Sequence, residues 1–120
     1  MKSNIPYLIL KNSAKLEKLI EWQISEGINA LVIAGTTGEA STLTMEEHRS
    51  VIKAAVDFTK HRVPVVAGTG SNSTRTAIQH AQEAEEDGAD GLLIVTPYYN
   101  KASQDGLIES YSYLERRVST

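Results

Sequence analysis

The sequence contains no cysteine. That absence excludes disulfides, thiolate zinc sites and cysteine nucleophiles together. A basic surplus is missing too: twelve Lys and Arg stand against fifteen Asp and Glu, for a formal net charge of −3. Binding to a phosphate backbone needs a cationic surface, so nucleic acid is not expected as a partner. Long apolar runs are also missing. The longest near the N-terminus is Tyr7-Leu8-Ile9-Leu10, far short of the ~20 residues that cross a bilayer and too short for a signal core. The chain therefore reads as soluble and cytoplasmic, with no membrane partner. What is present fits one globular domain spanning residues 1–120: 41% hydrophobic and 22% charged residues, with eight Gly and three Pro.

The apolar pattern predicts four strand-then-helix units. Ile5–Leu10 is a short strand interrupted by Pro6. Ser13 suits a helix cap, Leu16, Leu19, Ile20 and Ile24 follow at helical spacing, and Gly27 stands where a left-handed C-terminal residue belongs. Ala30–Ala34 is a continuous apolar run, as expected of a strand covered on both faces. Thr44 and Glu47 have capping-box spacing ahead of Val51, Ile52, Ala55 and Val56. Val63–Ala67 is a third strand, with Pro64 near its start, where a strand tolerates it. Ser73 then caps a helix carrying Ala77, Ile78, Ala81 and Ala84, which ends before Gly88. The fourth unit is Leu92–Val95 and a helix from about Ser103 with Leu107, Ile108, Tyr111 and Leu114 inward.

The segment 26–33 is echoed by 87–94, an offset of 61 residues, or about two units. Regular βα repetition predicts a parallel sheet with right-handed crossovers. Two α/β architectures accept four units: part of a TIM barrel, a half barrel in effect, or a small open doubly wound sheet. A closed barrel needs eight units.

In either fold, function gathers in the loops that follow the strands. Three such loops are rich in glycine or hydroxyls: Gly35–Thr42, Gly68–Asn72 and Thr96–Lys101. Gly35 and Gly38 let backbone amides approach a ligand, and Thr36 and Thr37 add hydroxyls, a set suited to a carboxylate or phosphate oxygen. The same glycines could instead serve only the turn. No Gly-Lys-Ser/Thr follows, so this is not a Walker loop. Gly68-Thr69-Gly70 lacks the third glycine of a dinucleotide fingerprint. Tyr98 and Tyr99 stand just past a strand end, where a phenol can relay protons or cap the sheet. His48, His61 and His80 have no partner at a metal-binding spacing, so neither metal nor cofactor is expected. Glu46-Glu47-His48 reads as a solvated helix turn, and Glu83–Asp87 as a solvated acidic helix end.

Taken in order, Gly35-Thr36-Thr37-Gly38-Glu39, Thr42-Leu43, Glu47-His48, Ala67–Asn72 and Thr96–Lys101 resemble the dihydrodipicolinate synthase (4-hydroxy-tetrahydrodipicolinate synthase) group of the pyruvate-dependent aldolase and N-acetylneuraminate lyase family. The similarity runs from about Leu16 to Val118. It implies a (β/α)8 lyase of lysine biosynthesis, commonly a tetramer of tight dimers. A lysine on the sixth strand forms a Schiff base with pyruvate, and the enamine attacks aspartate semialdehyde. Thr37, with Gly38, corresponds to the carboxylate-holding residues. Thr36 and Tyr99 correspond to two members of a hydroxyl proton relay, the tyrosine reaching a neighbouring subunit's site. His48, Asn72 and Tyr98 correspond to residues that bind feedback lysine, but Thr76 stands where lysine-sensitive enzymes place a glutamate.

The sequence departs from the family at both ends. Met1–Asn12 looks unrelated. The relay tyrosine of the fifth strand and the Schiff-base lysine have no counterparts here. The expectation is a truncated synthase-like half barrel that is inactive alone, holds a keto acid or small anion at most, and self-associates as a dimer or larger. The alternative is a non-catalytic binding or regulatory subunit that pairs with an intact synthase.

Overall fold

A computed structural model describes residues 13–35, 43–71, 73–95 and 103–118. The strand expected at Ile5–Leu10 lies outside them. The described elements are α1 (Ser13–Ser25), β1 (Leu31–Ile33), α2 (Met45–Thr59), β2 (Val65–Gly68), α3 (Thr74–Glu86), β3 (Gly91–Leu93) and α4 (Gln104–Glu115).

The helix starts follow their caps. Thr44 Oγ1 accepts from Glu47 N at 3.1 Å, and Glu47 Oε1 accepts from Thr44 N at 3.0 Å, the reciprocal capping box of α2. Ser73 and Ser103 cap α3 and α4 by a one-way bond, their hydroxyls accepting from Thr76 N and Gly106 N. Gly27 (φ 88) and Gly88 (φ 95) turn the chain after α1 and α3 in a left-handed conformation that costs glycine nothing. These two turns are the physical content of the 26–33 and 87–94 echo.

The strands are shorter than their apolar runs. Pro64 has no N–H to donate, so the β2 ladder begins at Val65, although the Pro64 carbonyl still accepts from Leu31 N at 2.9 Å. Ala34 adopts φ 58, which ends β1. The sheet is parallel with order β1-β2-β3. Val32 stands beside Val66, Val66 beside Gly91, and Gly68 beside Leu93.

One core cluster holds Leu16 and Ile20 of α1, Val51, Ile52 and Ala55 of α2 and Ala84 of α3. It meets Leu31, Ile33, Val65 and Ala67 of the sheet. Three successive helices thus cover the same face. A fully buried isoleucine such as Ile52 contributes about 1.5–3 kcal/mol by leaving water. The alternate strand residues point the other way and are bare: Val32 is 56% exposed and Leu93 50%. A doubly wound sheet would carry helices on both faces and change strand order at a switch point. Neither feature is present among the described residues, so the structure decides for the barrel segment. It also corrects the reading of 30–34 as covered on both sides. In α4, Leu114 is buried but Ile108 is 63% exposed, against the inward position expected for it.

Candidate functional site

The loops after the strands begin on a tightly packed junction. Gly68 lies against the peptide between Ala34 and Gly35. A Cβ on Gly68 would fall 2.3 Å from the Ala34 carbonyl oxygen, and one on Gly70 would fall 2.4 Å from Val95 N. Between them Thr69 N donates to Leu93 O at 3.1 Å. These two glycines therefore let three strand ends touch backbone to backbone, which is a packing role. Gly35 differs. Among the described residues a Cβ there would meet only Val32 Cγ1, at an ordinary 3.4 Å. Its small size has no packing reason in the described part. Ala34 ahead of it holds a left-handed φ of 58, a strained state for an L-residue costing about 1–2 kcal/mol.

Six expected site residues lie outside the described residues: Thr36, Thr37, Gly38, Asn72, Tyr98 and Tyr99. The seventh, His48, is described, and not as a solvated turn. It is 2% exposed, and its Nε2 donates to the Gly68 carbonyl oxygen at 2.7 Å. A carbonyl only accepts, so Nε2 carries the proton. The ring stacks on His80 with centroids 3.9 Å apart and planes 12° from parallel. His80 Nε2 points its proton at the Met45 thioether, 2.9 Å away, and its Nδ1 is buried without a partner. Burial lowers the pKa of His48 below the usual imidazole value, against the opposing pull of the Gly68 carbonyl. His80 is lowered to about 4, first by burial and then by the neighbouring His48 charge. Both rings are neutral at pH 7.

The acidic end of α3 is solvated only in part, with Glu86 exposed and Asp87 paired and shielded. Arg49 of α2 donates through Nε and Nη2 to both oxygens of Asp87, at 3.1 and 3.2 Å, and through Nη2 to Glu86 at 3.1 Å. The Asp87 side chain is 6% exposed. The guanidinium offsets carboxylates gathered at a helix C-terminus, where the dipole disfavours them. Together the stacked imidazoles and Arg49 make the α2–α3 seam polar.

His80 and Arg49 were not singled out as site residues from sequence. A signal existed for His48. It leads the series His48, Val51, Ile52, Ala55 and Thr59, the buried stripe of α2 at helical spacing. For His80 the signal is the alanine stripe Ala77, Ala81 and Ala84. Small side chains there leave room for a ring between the helices.

No group of three or more His, Asp or Glu is placed to hold a metal among the described residues, and none of the described helices is long and apolar enough to cross a membrane. A groove of about 650 Å³ lies between α3 and α4, lined by Arg75, Ile78, Gln82, Tyr113 and Arg117 among others. None of its lining residues belongs to a strand or to the junction.

Comparison with known proteins matches residues 11–115 to the dihydrodipicolinate synthetase family. The 4-hydroxy-tetrahydrodipicolinate synthase of Lachnoclostridium phytofermentans is 54% identical over 107 residues, which is 89% of this chain and 36% of that enzyme. A crystal structure of chloride-inhibited dihydrodipicolinate synthase from Acinetobacter baumannii, complexed with pyruvate, superposes with a TM-score of 0.88 at 51% identity. It covers 90% of this chain and 37% of its own. A monomeric dihydrodipicolinate synthase variant superposes with a TM-score of 0.86 at 37% identity, covering 90% of this chain and 36% of its own. The chain spans about 36% of the length of the curated relatives it matches.

Proposed function

The chain belongs to the dihydrodipicolinate synthetase family, and on that premise we propose that residues 1–120 are a single half-barrel domain carrying the keto-acid end of a synthase site. The observation that carries this reading is the strand-end junction, with Gly35 left open beside the left-handed Ala34. The Thr37 hydroxyl and the backbone amides from Gly35 to Gly38 hold the pyruvate carboxylate by charge-assisted hydrogen bonds, which are about twice as strong as neutral ones. Thr36 and Tyr99 pass a proton between hydroxyls toward the reacting carbon. In the complete reaction an amine attacks the pyruvate carbonyl and expels water as the imine forms. The imine loses a methyl proton to give the enamine, whose carbon then bonds to the aldehyde of aspartate semialdehyde.

That amine is not expected from these residues. An imine-forming lysine needs a lowered pKa, most simply from burial. Lys15 and Lys18 lie on α1 and Lys53 on α2, and all three are exposed. Lys60 is the exposed C-cap of α2. Lys2, Lys11 and Lys101 lie outside the described residues. By themselves the 120 residues bind a keto acid without turning it over. The test is borohydride reduction in the presence of pyruvate: no covalent adduct is expected, and a pyruvyl increment mapped to one lysine overturns the reading.

The bare sheet face supports the second part of the proposal. Val32 and Leu93 present an apolar surface, and such surfaces mark places of association. A second copy covers it, giving a homodimer or larger in the cytoplasm. Pairing with an intact synthase as a regulatory subunit uses the same face. Sedimentation of the chain alone and of a mixture with the synthase separates these, and a stable monomer in both overturns the association.

A further inference from the structure

Where Gly68 meets the end of β1 no side chain stands between the two backbones, so a shift in one segment is passed to the other. Gly68 touches the Ala34–Gly35 peptide directly. Ala34 holds φ 58, a conformation that persists in an L-residue where its surroundings enforce it. From helix α2, His48 reaches this junction: its Nε2 proton is held by the Gly68 carbonyl at 2.7 Å in a buried setting. His80 backs the ring face to face at 3.9 Å and so limits rotation of the imidazole about its own bond to the chain.

We propose that His48 is a positioning residue for the strand-end junction: from α2 it holds the Gly68 carbonyl, and through the Gly68–Ala34 contact it fixes the Ala34–Gly35 peptide at the end of β1. The part concerning ligand affinity rests on the keto-acid reading of the loop after β1; the geometric part does not. The donor is what matters. Histidine with a proton on Nε2 supplies it, glutamine supplies one at similar reach, and leucine fills the space without one.

The experiment compares wild type, His48→Leu, His48→Gln and Ile52→Val in the full chain by amide NMR, with pyruvate as the probe. Ile52 is buried one turn further along the same helix, and its truncation lowers stability without removing the hydrogen-bond donor to Gly68. His48→Leu is expected to move the Ala34 and Gly35 amide resonances and weaken pyruvate binding about fivefold. His48→Gln is expected to restore both in part, and Ile52→Val to change neither. Wild-type amide positions in a folded His48→Leu chain overturn the proposal, as do equal shifts in Ile52→Val. Ring nitrogen spectra of the wild type need no variant to fold: the Nε2-protonated form of His48 is expected, and the Nδ1-protonated form overturns the proposal. If pyruvate fails to bind the wild type, the functional reading falls, while the amide and ring measurements still decide the positioning role.

Discussion

The two faces of the sheet obey opposite rules. On one, Leu31, Ile33, Val65 and Ala67 meet three helices and are shut off from water; on the other, Val32 stands half exposed between Leu31 and Ile33, and Leu93 half exposed beside the core-packed Leu92 of β3. Side-chain alternation puts residues of the same apolar type into different environments. Apolar character alone therefore does not tell which strand residues hold this chain together. The partner layer does, and among the described residues only one such layer is present.

The strongest way to break that contrast is a pair of truncations. Ile52→Ala opens a cavity in the covered layer and is expected to cost about 2–5 kcal/mol, read as a lowered urea midpoint. Val32→Ala on the bare face is expected to cost less than about 0.5 kcal/mol in a dilute monomer. With a second copy against the face, the Val32→Ala loss grows with protein concentration, because dimer stability follows mass action. A Val32→Ala loss as large as that of Ile52→Ala at every concentration would show that something within the chain already covers the face.

A smaller effect sharpens the comparison within the covered layer, where the α2–α3 seam is polar. His80 is lowered to about 4 in the folded chain, from the ordinary imidazole value of 6.5. The unfolded chain thus takes up this proton first as the pH falls. The contribution is constant above about pH 6.5, declines toward pH 4 and is level below that. The ring is only half buried, so after solvent screening the expected loss is on the order of 1 kcal/mol. His80→Phe keeps a stacking ring and removes the proton. Its stability profile from pH 6.5 to 4.5, by chemical denaturation, is expected to be flatter than that of wild type; parallel profiles would assign the acid loss to other groups.

The smallest expected effect is none. Thr76 cannot neutralise the ammonium of a bound lysine, an omission costing on the order of a few kcal/mol, and the His48 Nε2 proton is already held by Gly68. Calorimetry with millimolar lysine is expected to show dilution heat only. A saturable isotherm lost on Tyr98→Phe would contradict that.

Much of the layout was legible because it depends on neighbours in sequence. Thr44 with Glu47, Ser73, Gly27 and Gly88 fix element ends through bonds and turns spanning a few residues. The side on which each strand residue falls was less so, because Val32 and Ile33 are both apolar and only the packed helices distinguish them. Of the site, the loop positions were legible and the junction beneath them was not. Gly68 and Gly70 read as turn or ligand glycines, and their contacts with Ala34 and Val95 cross to other strands. The same holds for His48 with His80 and for Arg49 with Asp87, partners 32 and 38 residues apart.

The consecutive strand order has a consequence for synthesis. Each new strand pairs with the one just made: Leu31 meets Val65 after 34 residues, and Val66 meets Gly91 after 25. Such short loops close readily, and N-terminal segments leave the ribosome first. The sheet can therefore lengthen unit by unit during translation, each helix folding back over the finished side, while the naked apolar side widens with every strand added. A nascent chain of this kind is most exposed to aggregation when its last strand has docked and nothing yet lies across from it.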